Sequence, residues 1–318
     1  MAEIITIGEI LAEVMANNIG QTFDETGEFK GPYPSGAPAI FIDQVAKTGS
    51  SCSIVSKVGN DGFGRLNINR LSQDGVDVSF IGTVPEQVTG IAFVTYKENG
   101  DRDFIFTTKN SAAAKINPSD VSEDHFKGCK YFHIMGCSIF NYEMIAVFKK
   151  AISLAKKNDV LISFDPNIRK EIMEDKEIKA FILYALENCD IFLPGENELK
   201  WITEIEDEEI AVKSILNQNT QYVIVKKGSK GCKLYEQKRF IEIEPYQVEE
   251  VDPTGAGDSF AGTFISLLNQ GRSVEDALEY ANAAGANAVL KKGPMEGTST
   301  LAQLNQFMKE KERNLSLS

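Results

Sequence analysis

The chain is poor in histidine: His125 and His133 are the only two among 318 residues. That scarcity makes a Ser-His-Asp hydrolase a poor fit and a zinc centre improbable, since both lean on imidazole. The five cysteines (Cys52, Cys129, Cys137, Cys189 and Cys232) are scattered, odd in number and include no C-x-x-C pair. They read as reduced, mostly buried apolar residues of a cytosolic protein, not as a disulfide framework. Long hydrophobic runs are missing as well, and none approaches the ~20 residues of a membrane span. Met1-Ala2-Glu3-Ile4-Ile5 opens straight into a strand pattern and lacks the basic and apolar regions of a signal peptide. Positive charge is in deficit: 33 Lys and Arg against 46 Asp and Glu give a net charge of −13. This balance argues against a nucleic-acid partner, and any anionic ligand must be met by local amides and a few cations. The expectation is a cytoplasmic protein with no membrane or nucleic-acid partner.

Composition is otherwise that of a soluble globular protein, and the length allows a sizeable core. Ile4–Gly8, Ser53–Ser56, Tyr131–Ile134, Val160–Phe164, Ile191–Leu193 and Tyr222–Val225 are short apolar runs that predict strands buried on both faces. Between them, Tyr142–Lys157, Lys176–Glu187 and Asp207–Asn217 carry helical periodicity. Such alternation predicts an α/β fold, a mostly parallel sheet with helices on both faces, binding ligands at the carboxyl ends of its strands. Two stretches break the pattern. Residues 13–34 are polar without helical period, and 89–112 read as two strands joined at Glu98-Asn99-Gly100-Asp101, where Asn-Gly is a hairpin signal. Together they form either a small β flap over the strand ends or a plain surface hairpin.

The run Val251-Asp252-Pro253-Thr254-Gly255-Ala256-Gly257-Asp258-Ser259-Phe260 places a glycine turn and a carboxylate before a helix-compatible segment. Pro253 holds Asp252 extended, and the glycines let the backbone bare its N–H groups at the positive end of a helix. An anion cradle beside a carboxylate suits phosphoryl transfer to a hydroxyl. A bare G-x-G-D also serves as an ordinary turn with Asp258 as a helix cap.

Extended from Asp252 to Gly262, the string resembles the second signature of the PfkB (ribokinase-like) carbohydrate kinases, closest in motifs to the fructokinase and 2-keto-3-deoxygluconate kinase branches. The resemblance implies a single ribokinase-like domain over residues 1–318, with 13–34 and 89–112 as a β-sheet lid through which a homodimer forms. It implies Asp258 as catalytic base and the amides of Gly255, Ala256 and Gly257 as anion hole. It implies ATP and Mg²⁺, the metal carried by the nucleotide phosphates and by water with Glu198 behind it and no direct protein ligand. Asp252 and the loop Lys292–Gly297 lie where many relatives hold a monovalent cation such as K⁺, and Asp252 is also assigned to the substrate pocket.

Further stretches extend the match. Glu13 falls where relatives place an acidic residue on sugar hydroxyls; a solvated loop carboxylate is the other reading. Ser35-Gly36-Ala37-Pro38-Ala39-Ile40 resembles the N-terminal signature and puts Gly36 and Ala37 beside the substrate, but Ser35 and Ile40 replace the usual Gly and Asn. Asp165-Pro166-Asn167-Ile168-Arg169 resembles a segment in which the Asn lies by the nucleotide and the Arg by phosphate or an acidic substrate group, against a surface ion pair for Arg169. Gly195-Glu196-Asn197-Glu198 keeps the Glu of the metal-organising region with Gly195 in place of Asn. Lys226–Gly231 resembles the family's nucleotide loop, which implies nucleotide-binding roles for Lys227, Gly228 and Gly231; taken alone it is a lysine-rich turn. Asn287 sits in a small-residue helix suited to adenine approach or to tight packing.

The stretch after the lid strand, Phe106–Ala112, has no Arg for a substrate carboxylate. The expectation is therefore an ATP-dependent kinase of a neutral ketohexose of the fructose or tagatose type. A 2-keto-3-deoxygluconate kinase is the alternative. A nucleoside kinase and an inactive sugar-sensing paralogue stand behind these.

Overall fold

The computed structural model describes residues 1–99, 101–168, 174–216 and 220–317, excluding the side chains of 312–317. Its strands are β1 (Ile4–Ile7), β2 (Leu11–Ile19), β3 (Phe29–Ser35), β4 (Cys52–Gly59), β5 (Ile81–Val84), β6 (Gly90–Tyr96), β7 (Arg102–Phe106), β8 (Tyr131–Met135), β9 (Leu161–Asp165), β10 (Ile191–Phe192), β11 (Tyr222–Lys226), β12 (Cys232–Tyr235) and β13 (Phe240–Ile243). Its helices are α1 (Ala37–Lys47), α2 (Gly62–Gln73), α3 (Tyr142–Lys157), α4 (Lys176–Asn188), α5 (Glu196–Thr203), α6 (Glu208–Leu216), α7 (Ala256–Asn269), α8 (Val274–Ala288) and α9 (Leu301–Leu317).

The main sheet runs β13-β12-β11-β10-β9-β8-β1-β4-β5. Its strands are parallel from β11 to β5, and only β12 and β13 are antiparallel among the described residues. The apolar runs are continuous because both faces are covered. Ile4, Ile54 and Ile224 pack on one side with Phe41, Phe264 and Leu278 of α1, α7 and α8. Ile5, Phe132, Ile162 and Val223 pack on the other with Phe148, Phe181 and Val212 of α3, α4 and α6. Helix α3 matches its expected bounds, its start fixed by Asn141, whose side chain accepts from Met144 N at 2.9 Å. The last residue of the expected Asp207–Asn217 helix lies outside the described residues.

A second sheet, β3-β2-β6-β7, is built from the two stretches that lacked helical period. Strand β2 follows β1 after Gly8-Glu9-Ile10, and β3 ends at Ser35, just before α1. This connectivity anchors the second sheet at the carboxyl ends of the main strands, where α/β folds hold ligands. All five cysteines are reduced and buried, and burial pushes the thiols of Cys129 and Cys232 up to about 12. No helix among the described residues is long and apolar enough to cross a membrane.

Candidate active site

Helix α7 begins at the glycine turn, with Gly255 as N-cap at φ 82°. A Cβ there would lie 2.4 Å from the carbonyl oxygen of Pro294, so only glycine fits. Helix geometry leaves first-turn amides without intrahelical acceptors, and Ala256 N reaches Pro253 O only at 3.4 Å. The turn opens on a cleft of about 1230 Å³ lined by Gly255, Gly257 and Asp258.

Asp258 sits buried in the first turn of α7. The side-chain amide of Asn167 donates to its Oδ1 at 3.3 Å. Asn167 follows β9 in a left-handed conformation, φ 37°, which asparagine tolerates better than most residues. Its own N–H reaches Oδ1 of Asp165 at 3.2 Å. Asp165, buried at the end of β9, forms an ion pair with Lys226 at the end of β11. Burial pushes the Asp165 carboxyl up, against the pull of the Lys226 charge. Burial alone would lower the Lys226 pKa, but Asp165, Glu198 and Asp258 together hold it above its ordinary value, so the ammonium stays charged. Glu198, in the first turn of α5, accepts from Ile168 N at 2.8 Å and from Gly195 N at 2.6 Å. It clamps the segment carrying Asn167 to α5.

Asp252 is fully buried and joins two segments. Its Oδ1 accepts from Thr254 N at 3.1 Å and Thr254 Oγ1 at 2.8 Å, while Oδ2 accepts from Gly293 N at 2.9 Å. The two stretches assigned to a monovalent cation are thus in contact.

The opposite wall of the cleft comes from α1 and the second sheet. Gly36 is the N-cap of α1 at φ 110°, and a Cβ on it would meet Glu9 O at 2.5 Å. Gly36, Ala37 and Ile40 line the cleft with Leu11, Glu13 and Ser35. Glu13 is buried, and Ser35 Oγ donates to its Oε2 at 2.7 Å. From β7, Arg102, Phe104 and Phe106 complete the wall.

A narrower cavity of about 310 Å³ adjoins the cleft, sharing Lys226, Glu250, Pro253 and Gly257. Gly228, Gly231, Tyr246, Phe260, Gly285 and Ala286 are among its walls. Small residues and apolar faces suit a flat heteroaromatic ring.

Most sequence-derived site residues converge on these two cavities, but four are placed otherwise. Asp252, assigned to the substrate pocket, lines neither cavity, because its buried carboxylate is taken up by Thr254 and Gly293. Lys227 pairs with Glu208 at 2.9 Å and lines neither cavity. Asn287 donates to Gly297 O at 3.3 Å and Ser299 Oγ at 2.7 Å, tying α8 to the following loop, while Asn282 lines the narrow cavity. Arg169 lies outside the described residues. Sequence reasoning missed Lys226, Asp165, Arg102 and Thr254, all of which line the cleft. A charged residue closing an apolar strand run was the available signal for Asp165 and Lys226.

No group of three His, Cys, Asp or Glu side chains able to hold a metal occurs among the described residues. Both Glu198 oxygens already accept backbone N–H bonds. A metal carried by nucleotide phosphates and reaching Glu198 through water fits this arrangement.

A mostly parallel α/β body with an amide turn, a first-turn carboxylate and a nucleotide-sized cavity at its strand ends defines a ribokinase-like small-molecule kinase. The profile of the pfkB family carbohydrate kinases matches residues 1–301, and the chain belongs to that family. It is 31% identical over 320 residues to probable fructokinase-5 of Arabidopsis thaliana, with 98% of each chain covered. Among solved structures, "putative Ribokinase II in complex with ATP and Mg+2 from E.coli" superposes with a TM-score of 0.94 at 48% identity, covering 98% of this chain and 100% of that one. A double mutant of the Vibrio cholerae O395 fructokinase, in fructose, ADP and potassium ion bound form, gives a TM-score of 0.84 at 25% identity, covering 96% and 98%.

Proposed function

We propose that the protein transfers the γ-phosphate of ATP to a hydroxyl of a neutral ketohexose of the fructose type. The observation that carries this reading is the position of Asp258, held by Asn167 at the start of α7, between the amide turn and the wall bearing Glu13. Asp258 takes the proton of the acceptor hydroxyl as its oxygen attacks the γ-phosphorus in line. Amides of the 255–257 turn receive the charge that develops on the phosphoryl oxygens. Lys226, charged at the junction of both cavities, lies where the nucleotide phosphates cross from one to the other. Bound with the nucleotide, Mg²⁺ would supply Lewis-acid neutralisation of the phosphates, and Glu198 would help hold it through water. The adenine ring takes the narrow cavity, and a monovalent cation such as K⁺ would be held by the Asp252 turn and the 292–297 loop, which touch through Asp252 and Gly293.

Glu13 and Ser35 accept and donate to sugar hydroxyls. A carboxylate-bearing acceptor is disfavoured at that end, because the Glu13 charge would repel it and Lys109 is not among the lining residues. The second sheet acts as a lid, and one domain of residues 1–318 carries the whole reaction. Phe29, exposed on the second sheet and packed edge-on against Phe93, and Ile105 offer a dimerisation face in a cytoplasmic homodimer. Light scattering of the purified protein tests the dimer.

The acceptor is tested by ADP release over fructose, tagatose, psicose, ribose and 2-keto-3-deoxygluconate. Highest kcat/KM on fructose or tagatose is expected. Preference for the sugar acid would overturn the neutral-sugar reading, and release independent of any acceptor would overturn the kinase reading.

A further inference from the structure

Two side chains lining the main cleft carry positive charge among the described residues, Lys226 and Arg102. Lys226 is committed to Asp165. Arg102 forms no ion pair among the described residues. Its Nη1 donates to the neutral Thr254 Oγ1 at 2.8 Å, and its guanidinium carbon lies 5.3 Å from the Phe104 ring centroid. A guanidinium has five N–H donors in a planar fork matched to phosphate oxygens, so most of this one's capacity is uncommitted.

Register sets where that fork stands. Arg102, Phe104 and Phe106 alternate along β7 and share a face, with the two rings stacked at 5.2 Å. Pairing of β7 with β6 and of β6 with β2 puts Phe106 in one row with Ala92 and Glu13, and Arg102 in the row of Tyr96. The two rows are about 14 Å apart along the strand at ~3.4 Å per residue. That separation suits a hexose lying on the Phe104–Phe106 face, hydroxyls at Glu13 and phosphoryl group at Arg102. Thr254, which accepts from Arg102 and donates to Asp252, immediately precedes Gly255 of the amide turn.

We propose that Arg102 is a catalytic arginine carried on the second sheet. It is latched to Thr254 at rest and donates its remaining N–H groups to the transferring phosphoryl group. The inference deepens the kinase reading and rests on it. In the step, the bond from the acceptor oxygen to the γ-phosphorus forms, and the bond from that phosphorus to the bridging oxygen of ADP breaks. The hydroxyl proton passes to Asp258 and the bonding pair leaves on ADP; Arg102 exchanges no proton and balances charge. Because the arginine belongs to the second sheet, the phosphoryl site is complete only when that sheet rests on the turn.

The test compares wild type, Arg102→Gln and Arg102→Lys by thermal melting with Mg·ADP, with and without aluminium fluoride as a mimic of the transferring group. Steady-state kinetics with fructose run alongside. Arg102→Gln is expected to keep the stabilisation by ADP and lose most of the fluoride-dependent rise. Its kcat should drop by roughly 10²–10³-fold, and Arg102→Lys should recover part of that loss. Sugar KM is expected to change less than about threefold. Equal fluoride increments in wild type and Arg102→Gln would overturn the proposal, as would an absent increment in wild type or a loss confined to KM. If Arg102→Gln fails to fold, Arg102→Lys carries the same comparison with a smaller expected loss. If no sugar is phosphorylated by wild type, the acceptor reading fails, while the fluoride measurement needs no acceptor and still decides on Arg102.

Discussion

The side-chain amide of Asn167 donates to Oδ1 of Asp258 across 3.3 Å, joining the end of β9 to the first turn of α7. One oxygen of the carboxylate is thereby oriented by a residue that is itself fixed. Asn167 is held by its backbone bond to Asp165, and the neighbouring Ile168 by Glu198. The position of the base thus depends on β9, α5 and β11 together, through the ion pair of Asp165 with Lys226. Damage to any of these three elements is expected to reach Asp258.

Gly255→Ala should be costly on two counts. The new Cβ would stand 2.4 Å from Pro294 O at a φ of 82°. Backbone strain of this kind costs on the order of 1–3 kcal/mol, and moving Pro294 away opens the amide turn. A lower melting temperature is expected, together with a loss of turnover of roughly a hundredfold or more at temperatures where the variant is still folded. Thermal melts and initial rates check both.

Lys226→Met leaves the buried Asp165 carboxylate without its cation. Breaking such a pair from one side costs about 3–5 kcal/mol, whereas replacing both partners by apolar residues is often close to neutral. Urea denaturation should therefore show Lys226→Met well below wild type and the Lys226→Met, Asp165→Leu double variant recovering most of the difference. Activity should be lost in both, because the cation between the two cavities is gone.

His133 provides a pH signature unrelated to catalysis. It is fully buried, stacked on Phe41 with ring centroids 3.8 Å apart, and its Nδ1 meets Ser163 Oγ at 2.8 Å. Burial, with a smaller contribution from the Lys226 charge, holds its pKa well below the ordinary value. The native ring stays neutral while the unfolded chain takes up a proton below about pH 6.5. This stability is present above that value and lost as pH falls, by up to about 1.4 kcal/mol per pH unit. Urea midpoints at about pH 7.5 and about pH 5 should fall more for wild type than for His133→Gln; equal falls would contradict the assignment.

The architecture was largely legible in the sequence because parallel strands covered on both faces must be largely apolar, as Tyr222–Val225 is throughout and Ile4–Ile7 is apart from Thr6. The amide turn was legible for a related reason, since Gly255 answers a backbone requirement no other residue meets. Side-chain direction was harder to read. Lys226 and Lys227 are adjacent, and one step along an extended chain reverses the side chain, so Lys226 enters the cleft and Lys227 turns to Glu208. Asn282 and Asn287 fall on different sides of α8, only the first lining a cavity. Arg102 reaches the turn through strand pairings and a contact 152 residues away in sequence, which no local pattern encodes.

The most direct test of the account is Asp258→Asn, assayed for phosphate transfer from ATP to fructose, with nucleotide affinity measured by calorimetry. If Asp258 deprotonates the acceptor, kcat falls roughly a thousandfold or more while ATP affinity stays within about threefold of wild type. Turnover near the wild-type rate in a variant that folds and binds ATP normally would contradict it.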